Sequence, residues 1–414
     1  MNKLLLLIVI VLGILAIAQV VRVYELTARL RSKREEEVSR RDNKLNATLM
    51  LIFMLALYAS FIYLMFKYGD GGLGTSASEH GVAIDTLLDF NFLMIIIVFF
   101  ITNTLLFWFS FKYYYSPDRK AFYYPHNNKL ELIWTIIPAA FLAVIIIYGL
   151  RTWNEITSDD KGDEIIIELY AKQFDWTIRY SGDDNTLGFA DYKMIYGKNE
   201  LGLITTQTLN EKIVDLDEQI SVLEADIEQN GIYTPNKKLS KKIKQLEVLR
   251  RQKERILTGI MNGRDAEKQD LAAFDDMITK GELHLVVGQP YSFRFRSQDI
   301  IHSAYFPHFR AQMNCVPGMV TKFKFTPTIT TDSMRAIKGD ESFDYILLCN
   351  KICGSAHYNM KIKVIVETQE EFNAWKTSLK TFNQMISPIE ETQEGLIESD
   401  KAQEEEESTE GTEQ

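Results

Sequence analysis

The sequence predicts a membrane-anchored protein in which transmembrane helices precede an all-β domain with an inserted helical hairpin. Three observations support this fold class. Apolar residues concentrate in the N-terminal third of the chain, short alternating runs follow Trp153, and a segment of helical period interrupts these runs at about 207–262. We expect two extra transmembrane helices with a basic loop, a second helix pair, an external β-domain and an acidic tail. Their predicted limits are 1–83, 84–153, 154–386 and 387–414.

Four apolar runs predict the membrane-spanning helices, because each is near the roughly 20 residues that a helix needs to cross a bilayer. The runs are 3–22, 47–67, 86–111 and 132–150. Segments 22–44 and 112–129 carry eight and four Lys or Arg residues, whereas 69–84 carries none. The positive-inside rule therefore places the first two segments in the cytoplasm and the third outside, with both termini external. The first run also resembles a signal peptide, but cleavage would leave 22–44 outside, against its charge.

The region after the membrane runs contains short segments rich in β-branched and aromatic residues. They lie at 164–180, 282–287, 291–297, 319–327, 344–349 and 361–368. Short alternating strands separated by turn residues predict a β-sandwich or barrel. Residues 369–383 carry apolar side chains at helical spacing and predict a short terminal helix.

The interrupting segment has the pattern of two helices. Its first arm carries an apolar heptad seam from Leu209 to Ile227, and Asn230-Gly231 with Pro235 then breaks the helix. The first arm is mostly acidic and the second mostly basic, so we expect an antiparallel hairpin reaching about 30 Å. We hypothesise that it projects from the β-domain to dock a partner, and a locally stable decoration without a partner remains an equal alternative.

The net charge of −10 comes from the C-terminal end of the chain. Between Pro388 and Gln414 there are eleven acidic residues and one lysine, so the remainder is neutral overall. This balance gives no support to a nucleic-acid partner. The tail is typical of a disordered, solvated segment, and a specific acidic docking segment is the less favoured alternative. Three cysteines are too few for a disulfide scaffold.

One short loop carries four soft or borderline metal ligands in the pattern C-x3-C-x3-H-x2-M. They are Cys349, Cys353, His357 and Met360. Thiolate and thioether ligands suit copper, whereas zinc would normally use neither a methionine nor this spacing. A second cysteine has a role if two thiolates bridge two copper ions. Such a site needs another histidine, and the segment 297–318 offers His302 and His308.

Alternative interpretations of these residues involve no metal. Cys349 and Cys353 could form a disulfide in an external domain. His308 taken alone is more typical of a polar loop residue, and Cys315 and Met313 of buried core side chains.

The stretches DIIHSA…CVPG and CNKICGSAHYNM closely resemble the dinuclear copper A site of cytochrome c oxidase subunit II. The resemblance covers about 85–380 and implies a cupredoxin-like Greek-key β-barrel behind two family membrane helices. It implies that Cys349 and Cys353 bridge both copper ions. It further implies that His302 and Met360 complete one copper, and that His357 and the backbone carbonyl of Lys351 complete the other.

A second resemblance lies at the membrane, in the stretch NNKLELIWTIIPA at 127–139. It is similar to the start of the family's second helix. There the resemblance implies that Glu131 stands at the mouth of a proton pathway into subunit I. Without the resemblance, Glu131 would be interpreted as an ordinary interfacial charge.

Two departures from the family pattern affect its implied functions. The family usually has a Trp for electron entry in a Gln-Trp-x-Trp-like run, and here Phe174 holds that position while Trp176 keeps the second aromatic. The residue between the cysteines is usually a Glu that also reaches a magnesium ion. Lys351 replaces it, and an ammonium group cannot ligate Mg²⁺, so we expect no magnesium ligand at this position.

The resemblance implies an electron-entry subunit of a haem–copper terminal oxidase in a bacterial inner membrane, with the copper domain on the periplasmic side. Its partners would be oxidase subunit I, other oxidase subunits and a cytochrome c-type donor. The chain has no C-x-x-C-H motif for its own haem, and Phe174, the hairpin and the extra spans favour a dedicated, tightly bound donor complex. The alternatives are a metal-free quinol-oxidase-type subunit and a membrane-tethered copper carrier or assembly protein.

Overall fold

The computed structural model describes residues 2–30, 39–69, 71–72, 74–261 and 264–386. The acidic tail and part of the predicted basic loop lie outside these residues. The chain divides into two compact units. One comprises 1–72 with 89–142, and the other comprises 73–88 with 143–414.

Four long helices form the N-terminal part of the chain. They are α1 (Asn2–Leu30), α2 (Arg40–Tyr68), α3 (Glu79–Lys112) and α4 (Asn128–Thr157). Among the described residues, α2, α3 and α4 are long and apolar enough to cross a membrane. The first predicted span lies in α1 and remains a prediction. Within the first unit, Tyr58 of α2 stacks near Phe100 of α3 at 4.6 Å, and its hydroxyl donates to the Phe100 carbonyl.

In the described part of the chain, ten strands form two five-stranded sheets. In chain order they are β1 (Ile165–Lys172), β2 (Asp175–Tyr180), β3 (Met277–Lys280), β4 (Glu282–Val286), β5 (Tyr291–Ser297), β6 (His302–Phe306), β7 (Ala311–Cys315), β8 (Thr321–Phe325), β9 (Tyr345–Cys349) and β10 (Lys361–Glu367). The strand orders are β3-β2-β1-β5-β8 and β4-β10-β9-β6-β7. The β1–β5 and β4–β10 pairs are parallel and the other pairs antiparallel. A short helix α8 (Thr331–Lys338) lies between β8 and β9, and α9 (Gln369–Lys376) and α10 (Phe382–Ile386) follow β10.

Both sheets contribute side chains to one apolar core. The alternation predicted for 291–297 is present in β5, where Phe293 and Phe295 are buried and the two arginines between and after them are half-buried. Phe293 meets Phe306 of the other sheet with ring centroids 5.6 Å apart. The two sheets therefore bury their facing aromatic side chains against each other, as a closed or sandwiched β-fold requires. The predicted fold class of N-terminal helices able to cross a membrane followed by an all-β domain is confirmed.

The inserted helices lie between β2 and β3. They are α5 (Thr206–Asn230), α6 (Asn236–Arg255) and the shorter α7 (Ala266–Phe274). Thr205 caps α5, and Leu209, Leu216 and Ile256 share a buried apolar cluster at its base. Three ion pairs join the acidic helix to the basic one, Lys242 to Asp226, Arg250 to Glu224 and Lys253 to Asp217. The predicted inserted hairpin is confirmed, while the exact domain limits remain predictions.

Within the second unit, the start of α3 and the segment before it bind the β-domain through hydrogen bonds and an ion pair. Arg310 has a left-handed backbone (φ 52°), and its guanidinium pairs with Asp85 of α3 at 2.8 Å. The same guanidinium donates to the Gly74 carbonyl. Ser78 donates to the Phe309 carbonyl at 2.7 Å. These contacts fix the external end of α3 against the loop that follows β6.

A buried charge cluster links β1 and β2 to the end of the insertion. Arg179 is 2% exposed and binds the carboxylates of Glu168 and Asp276, each at 2.8 Å. Burial acts to raise the pKa of Glu168, but Arg179 and Arg296 hold that pKa below its ordinary value. Burial raises the pKa of Asp276 to about 7 despite the nearby Arg179. One guanidinium therefore neutralises two carboxylates that approach it from distant parts of the chain.

We expect Arg179→Met to destabilise the β-domain strongly, because it removes the guanidinium that binds Asp276 and one of the two, with Arg296, that bind Glu168. Losing one partner of a buried ion pair costs about 3–5 kcal/mol, equivalent to a fall of roughly 6–20 °C in the apparent thermal midpoint. Thermal unfolding of the detergent-solubilised chain measures this fall in the midpoint. Arg335→Met is the matched control, since that arginine forms half-exposed surface pairs and should change little. Equal midpoint shifts in the two variants would contradict the prediction.

Candidate metal centre

Strand pairing brings the two predicted ligand segments together. The ladder between β6 and β9 places Ala304 opposite Cys349. His302 begins β6 and Cys349 ends β9. The Asn350 amide donates to the Ser303 carbonyl at 2.9 Å, which holds the start of the cysteine loop against β6.

The cysteine loop closes on itself through backbone hydrogen bonds. The Cys349 amide donates to the Met360 carbonyl at 3.0 Å, and the Met360 amide donates to the His357 carbonyl at 3.1 Å. A single 3₁₀ turn at His357–Asn359 carries the chain from the histidine to the methionine. The loop is thus a short closed bridge between β9 and β10.

The soft donor atoms lie close together in this loop and the neighbouring strand. The Cys349 and Cys353 sulfurs are 3.9 Å apart. The Cys349 sulfur is 3.9 Å from Nδ1 of His302, and the Cys353 sulfur is 3.5 Å from Nδ1 of His357. Met360 Sδ lies 3.8 Å from the Cys353 sulfur. Each thiol therefore has one imidazole nitrogen beside it.

Lys351 contributes its backbone and not its side chain. Its carbonyl oxygen accepts from the Cys349 thiol at 3.2 Å, while the side chain is exposed. The structure thus places the carbonyl of Lys351 beside the same sulfur that faces His302.

The chemistry of these donors fits a soft metal. His302, Cys349 and Cys353 are buried, and their ligand atoms lie within 4.8 Å of one another. Thiolates and imidazoles with a thioether favour copper over hard, oxygen-seeking cations. Both cysteines are free thiols, so the disulfide alternative is wrong. Burial, with the neighbouring Cys349, raises the pKa of Cys353 to about 11, so metal binding there must displace a proton.

Asp299 was not among the residues predicted from the sequence, yet it orients His302. Its Oδ1 lies 2.8 Å from Nε2 of His302, which leaves Nδ1 facing the Cys349 sulfur. Burial acts to raise the pKa of Asp299, but hydrogen bonds from His302, Gln173 and Ile300 lower it below its ordinary value. A carboxylate that holds the far nitrogen of a ligand histidine fixes its ring and tautomer. The only signal in the sequence is an acid three residues before the histidine.

The two aromatic residues proposed for electron entry have different surroundings. Trp176 is fully buried, and its Nε1 points to the Met360 carbonyl at 3.4 Å. Its ring lies edge-on to His302 with centroids 6.4 Å apart. Phe174 is half-buried and packs against the core next to the cysteine loop. Of the pair, Phe174 is the one that reaches the surface.

Phe174 requires a glycine opposite it. Gly354 has φ 141°, and a Cβ there would lie 2.8 Å from the tip of the Phe174 ring and 2.9 Å from Gln173 Nε2. The same Gln173 amide donates to the Cys353 carbonyl. The turn that precedes β2 and the cysteine loop therefore pack closely, which couples the position of the phenyl ring to that of Cys353.

The remaining candidate residues lie apart from the sulfur cluster. His308 packs against Phe343 and Tyr345, and burial lowers its pKa to about 4. Cys315 is buried opposite His302 in the β6–β7 ladder, and burial raises its pKa to about 12. Glu131 lies exposed in the first turn of α4.

Comparisons with known proteins find similarity to one oxidase subunit. A family profile described as the transmembrane domain of cytochrome c oxidase subunit II matches residues 67–152. The alternative cytochrome c oxidase subunit 2 of Bradyrhizobium diazoefficiens is 29% identical over 272 residues, which cover 66% of this chain and 71% of that protein. Cytochrome c oxidase subunit 2 of Thermostichus vulcanus is 22% identical, with coverages of 74% and 78%.

Among solved structures, the chain is similar to the periplasmic domain of subunit II of cytochrome oxidase from Bradyrhizobium japonicum. That match has 14% identity and a TM-score of 0.25, and covers 52% of this chain and 93% of that domain. The chain is thus similar to cytochrome c oxidase subunit II, in its membrane helices and over about two thirds of its length.

Proposed function

We propose that this chain is the electron-entry subunit of a cytochrome c oxidase and that its cysteine loop holds a dinuclear copper A centre. The observation that carries the proposal is the convergence of two thiols, two imidazoles, one thioether and one carbonyl around Cys349 and Cys353. In this assignment Cys349 and Cys353 would hold both metals. His302 and Met360 would complete one copper, and His357 and the Lys351 carbonyl would complete the other.

When bound, a copper pair bridged by two thiolates supplies a one-electron carrier whose charge is shared by both metals. The protein supports this role by holding its ligands rigidly. Ring orientation by Asp299, the closed cysteine loop and full burial of His302 limit movement of the donor atoms. Because the donor atoms move little, the reorganisation energy between the two oxidation states stays small.

Burial of the ligands also favours a permanent cofactor over an exchangeable one. Cys353 and Met360 are each 2% exposed, and Cys349 is 5% exposed. A copper carrier must pass its metal to a partner, which needs accessible ligands. A metal-free quinol-oxidase-type subunit would have no use for this complete donor set in one place.

The surface above the cysteine loop supports docking of an electron donor. Ile352 and Tyr358 in that loop are 86% and 83% exposed. Half-buried Phe174 packs on Gly354 of the same loop. Exposed apolar residues next to a buried redox site suit a partner that docks closely. We assign this face to a cytochrome c-type donor, either diffusing or held in a bound complex.

In this proposal the electron would pass to the haem of subunit I, which would reduce oxygen to water with coupled proton translocation. We place the chain as a multi-pass protein of a bacterial inner membrane with its copper domain on the periplasmic side. Glu131, exposed near the start of α4, stands where a carboxylate would collect protons for subunit I. The apolar helices α2, α3 and α4 support the membrane anchoring.

Copper content and electron paramagnetic resonance test the centre. We expect the purified full-length chain to bind two coppers that share one unpaired electron across both nuclei. Cys349→Ser should abolish that hyperfine pattern, because a hydroxyl cannot replace a bridging thiolate. Cys315→Ala is the matched control, since that buried thiol is outside the cluster, and it should keep the pattern. A single-ion spectrum or no copper in the unaltered chain would instead favour a copper carrier or a metal-free subunit.

Replacing Lys351 separates its carbonyl from its side chain. We expect Lys351→Ala to keep two coppers and an unchanged spectrum, because the exposed ammonium group does not face the sulfurs. His357→Ala removes a donor nitrogen and should lower copper content or change the spectrum. The two variants are compared by metal analysis and spectroscopy. Equal copper loss in both would show that the side chain of Lys351 matters to the site.

Replacing Phe174 tests the electron-entry face. We expect Phe174→Ala to slow reduction of the copper-loaded chain by a reduced cytochrome c-type donor on the order of tenfold, about 1.4 kcal/mol. Copper content should stay the same, since the ring supplies no ligand. Phe189→Ala is the control, because Phe189 is an exposed ring (54%) away from the cysteine loop. Unchanged stopped-flow reduction rates in Phe174→Ala would remove this residue from the entry route.

A further inference from the structure

The basic helix of the hairpin presents a line of cations that its acidic partner helix does not neutralise. Lys237, Lys241, Lys244, Arg251 and Arg255 follow one another along α6 at steps of 4, 3, 7 and 4 residues. This spacing keeps them on a single helix face, which we call the cationic stripe. All five side chains are exposed.

The opposite face of α6 is already neutralised. Three basic side chains on this face form ion pairs with α5: Lys242 with Asp226, Arg250 with Glu224 and Lys253 with Asp217. Throughout the described ranges, by contrast, no carboxylate forms an ion pair with the cationic stripe. Like charges at i, i+3 and i, i+4 repel one another, so the stripe carries a cost that an anionic ligand would relieve.

The stripe ends at a surface cavity of about 340 Å³ at the base of the hairpin. Tyr192, Lys193 and Val248 line it together with Arg251 and Arg255. The cavity combines cations with aromatic and aliphatic walls. Such a lining suits a peptide that carries carboxylates and some apolar side chains better than it suits a free inorganic ion.

The chain itself supplies a matching segment at this end of the hairpin. Ile386 is buried beside Phe382 and Leu203, and its carbonyl accepts from Gln207 Nε2 at 3.0 Å. Gln207 lies in the first turn of α5, and Leu209 of α5 shares an apolar cluster with Ile256, which follows α6. The acidic tail therefore begins at the same end of the hairpin where the cationic stripe terminates.

Charge and reach both agree with tail binding. Residues 388–414 carry eleven carboxylates and one lysine. Glu390 is four residues beyond Ile386, within about 13 Å, and Glu404 to Glu407 can reach roughly 60 Å along an extended chain. The α6 helix itself is about 30 Å long. The tail can thus place carboxylates along the entire stripe.

We propose that the acidic segment 388–414 binds the cationic stripe of α6 within the same chain. The bound tail neutralises the stripe and covers the outer face of the hairpin, so any anionic partner of that face must displace it. The contacts are surface ion pairs, individually weak and screened by salt. This proposal is independent of the copper assignment.

Zero-length carbodiimide crosslinking of the full-length chain in detergent tests the proposal. We expect crosslinks from Lys237, Lys241 and Lys244 to tail glutamates at 0.1 M salt, falling about tenfold at 1 M, where the Debye length shrinks from about 10 Å to about 3 Å. Lys241→Glu with Lys244→Glu should reduce the remaining Lys237 crosslinks to a similar extent. Lys338→Glu with Lys361→Glu, two exposed lysines off the hairpin, is the matched control and should leave them unchanged.

Charge exchange makes the test specific. Changing Glu404 to Glu407 into lysines in the Lys241→Glu, Lys244→Glu background should restore crosslinks with the donor and acceptor roles reversed. Mixing isotope-labelled and unlabelled chains distinguishes crosslinks within one chain from those between two copies. Three results would overturn the proposal: tail crosslinks spread equally over the control lysines, crosslinks found only between copies, or tail crosslinks to the stripe that persist unchanged at 1 M salt.

Discussion

The pairing of β6 with β9 is the constraint on which the candidate metal centre depends. It sets Ala304 opposite Cys349, and so brings an imidazole from one loop to a thiol nearly fifty positions later in the chain. The apolar core on both sheets keeps that register, since a slip by one residue would turn every buried side chain of β6 to the other face. The cysteine loop then needs only a short bridge from β9 to β10 to present its own ligands. The site is rigid because two strands fix its ends.

The same logic explains why a polar strand can lie at the centre of a sheet. His302 and Ser303 are fully buried, which would be costly without partners. Asp299 satisfies the imidazole, and the Gln312 amide donates to the Ser303 hydroxyl at 2.9 Å. The Arg179 cluster solves a related problem at the end of the insertion, where two carboxylates share one guanidinium. Buried polar groups at both places are therefore paired with a partner that offsets their burial.

These features also show how far the sequence could be interpreted. The soft ligands of the cysteine loop stand within twelve positions, so their pattern was visible, and the resemblance supplied His302. Asp299 and the Arg179 cluster could not be predicted, because their partners become neighbours only after the sheets form. Strands β3 and β7 were not predicted because they lie at sheet edges and bury few side chains. Strand β6 was not predicted because its first two residues are polar. The hairpin was predictable, since its heptad seam and opposed charges are local properties of α5 and α6.

The hairpin shows how local charge patterning can serve two surfaces at once. The inner face of α6 uses Lys242, Arg250 and Lys253 to bind α5, and apolar residues at the base complete that packing. These three pairs would suffice to select an antiparallel arrangement of α5 and α6. The helix α6 nevertheless carries the five cations of the cationic stripe, which face away from α5. Helix pairing does not explain them, because charges on the outer face repel one another and weaken the helix. The cations of the outer face are explained if an anionic group binds them. The acidic tail, which begins beside Gln207, has the opposite charge.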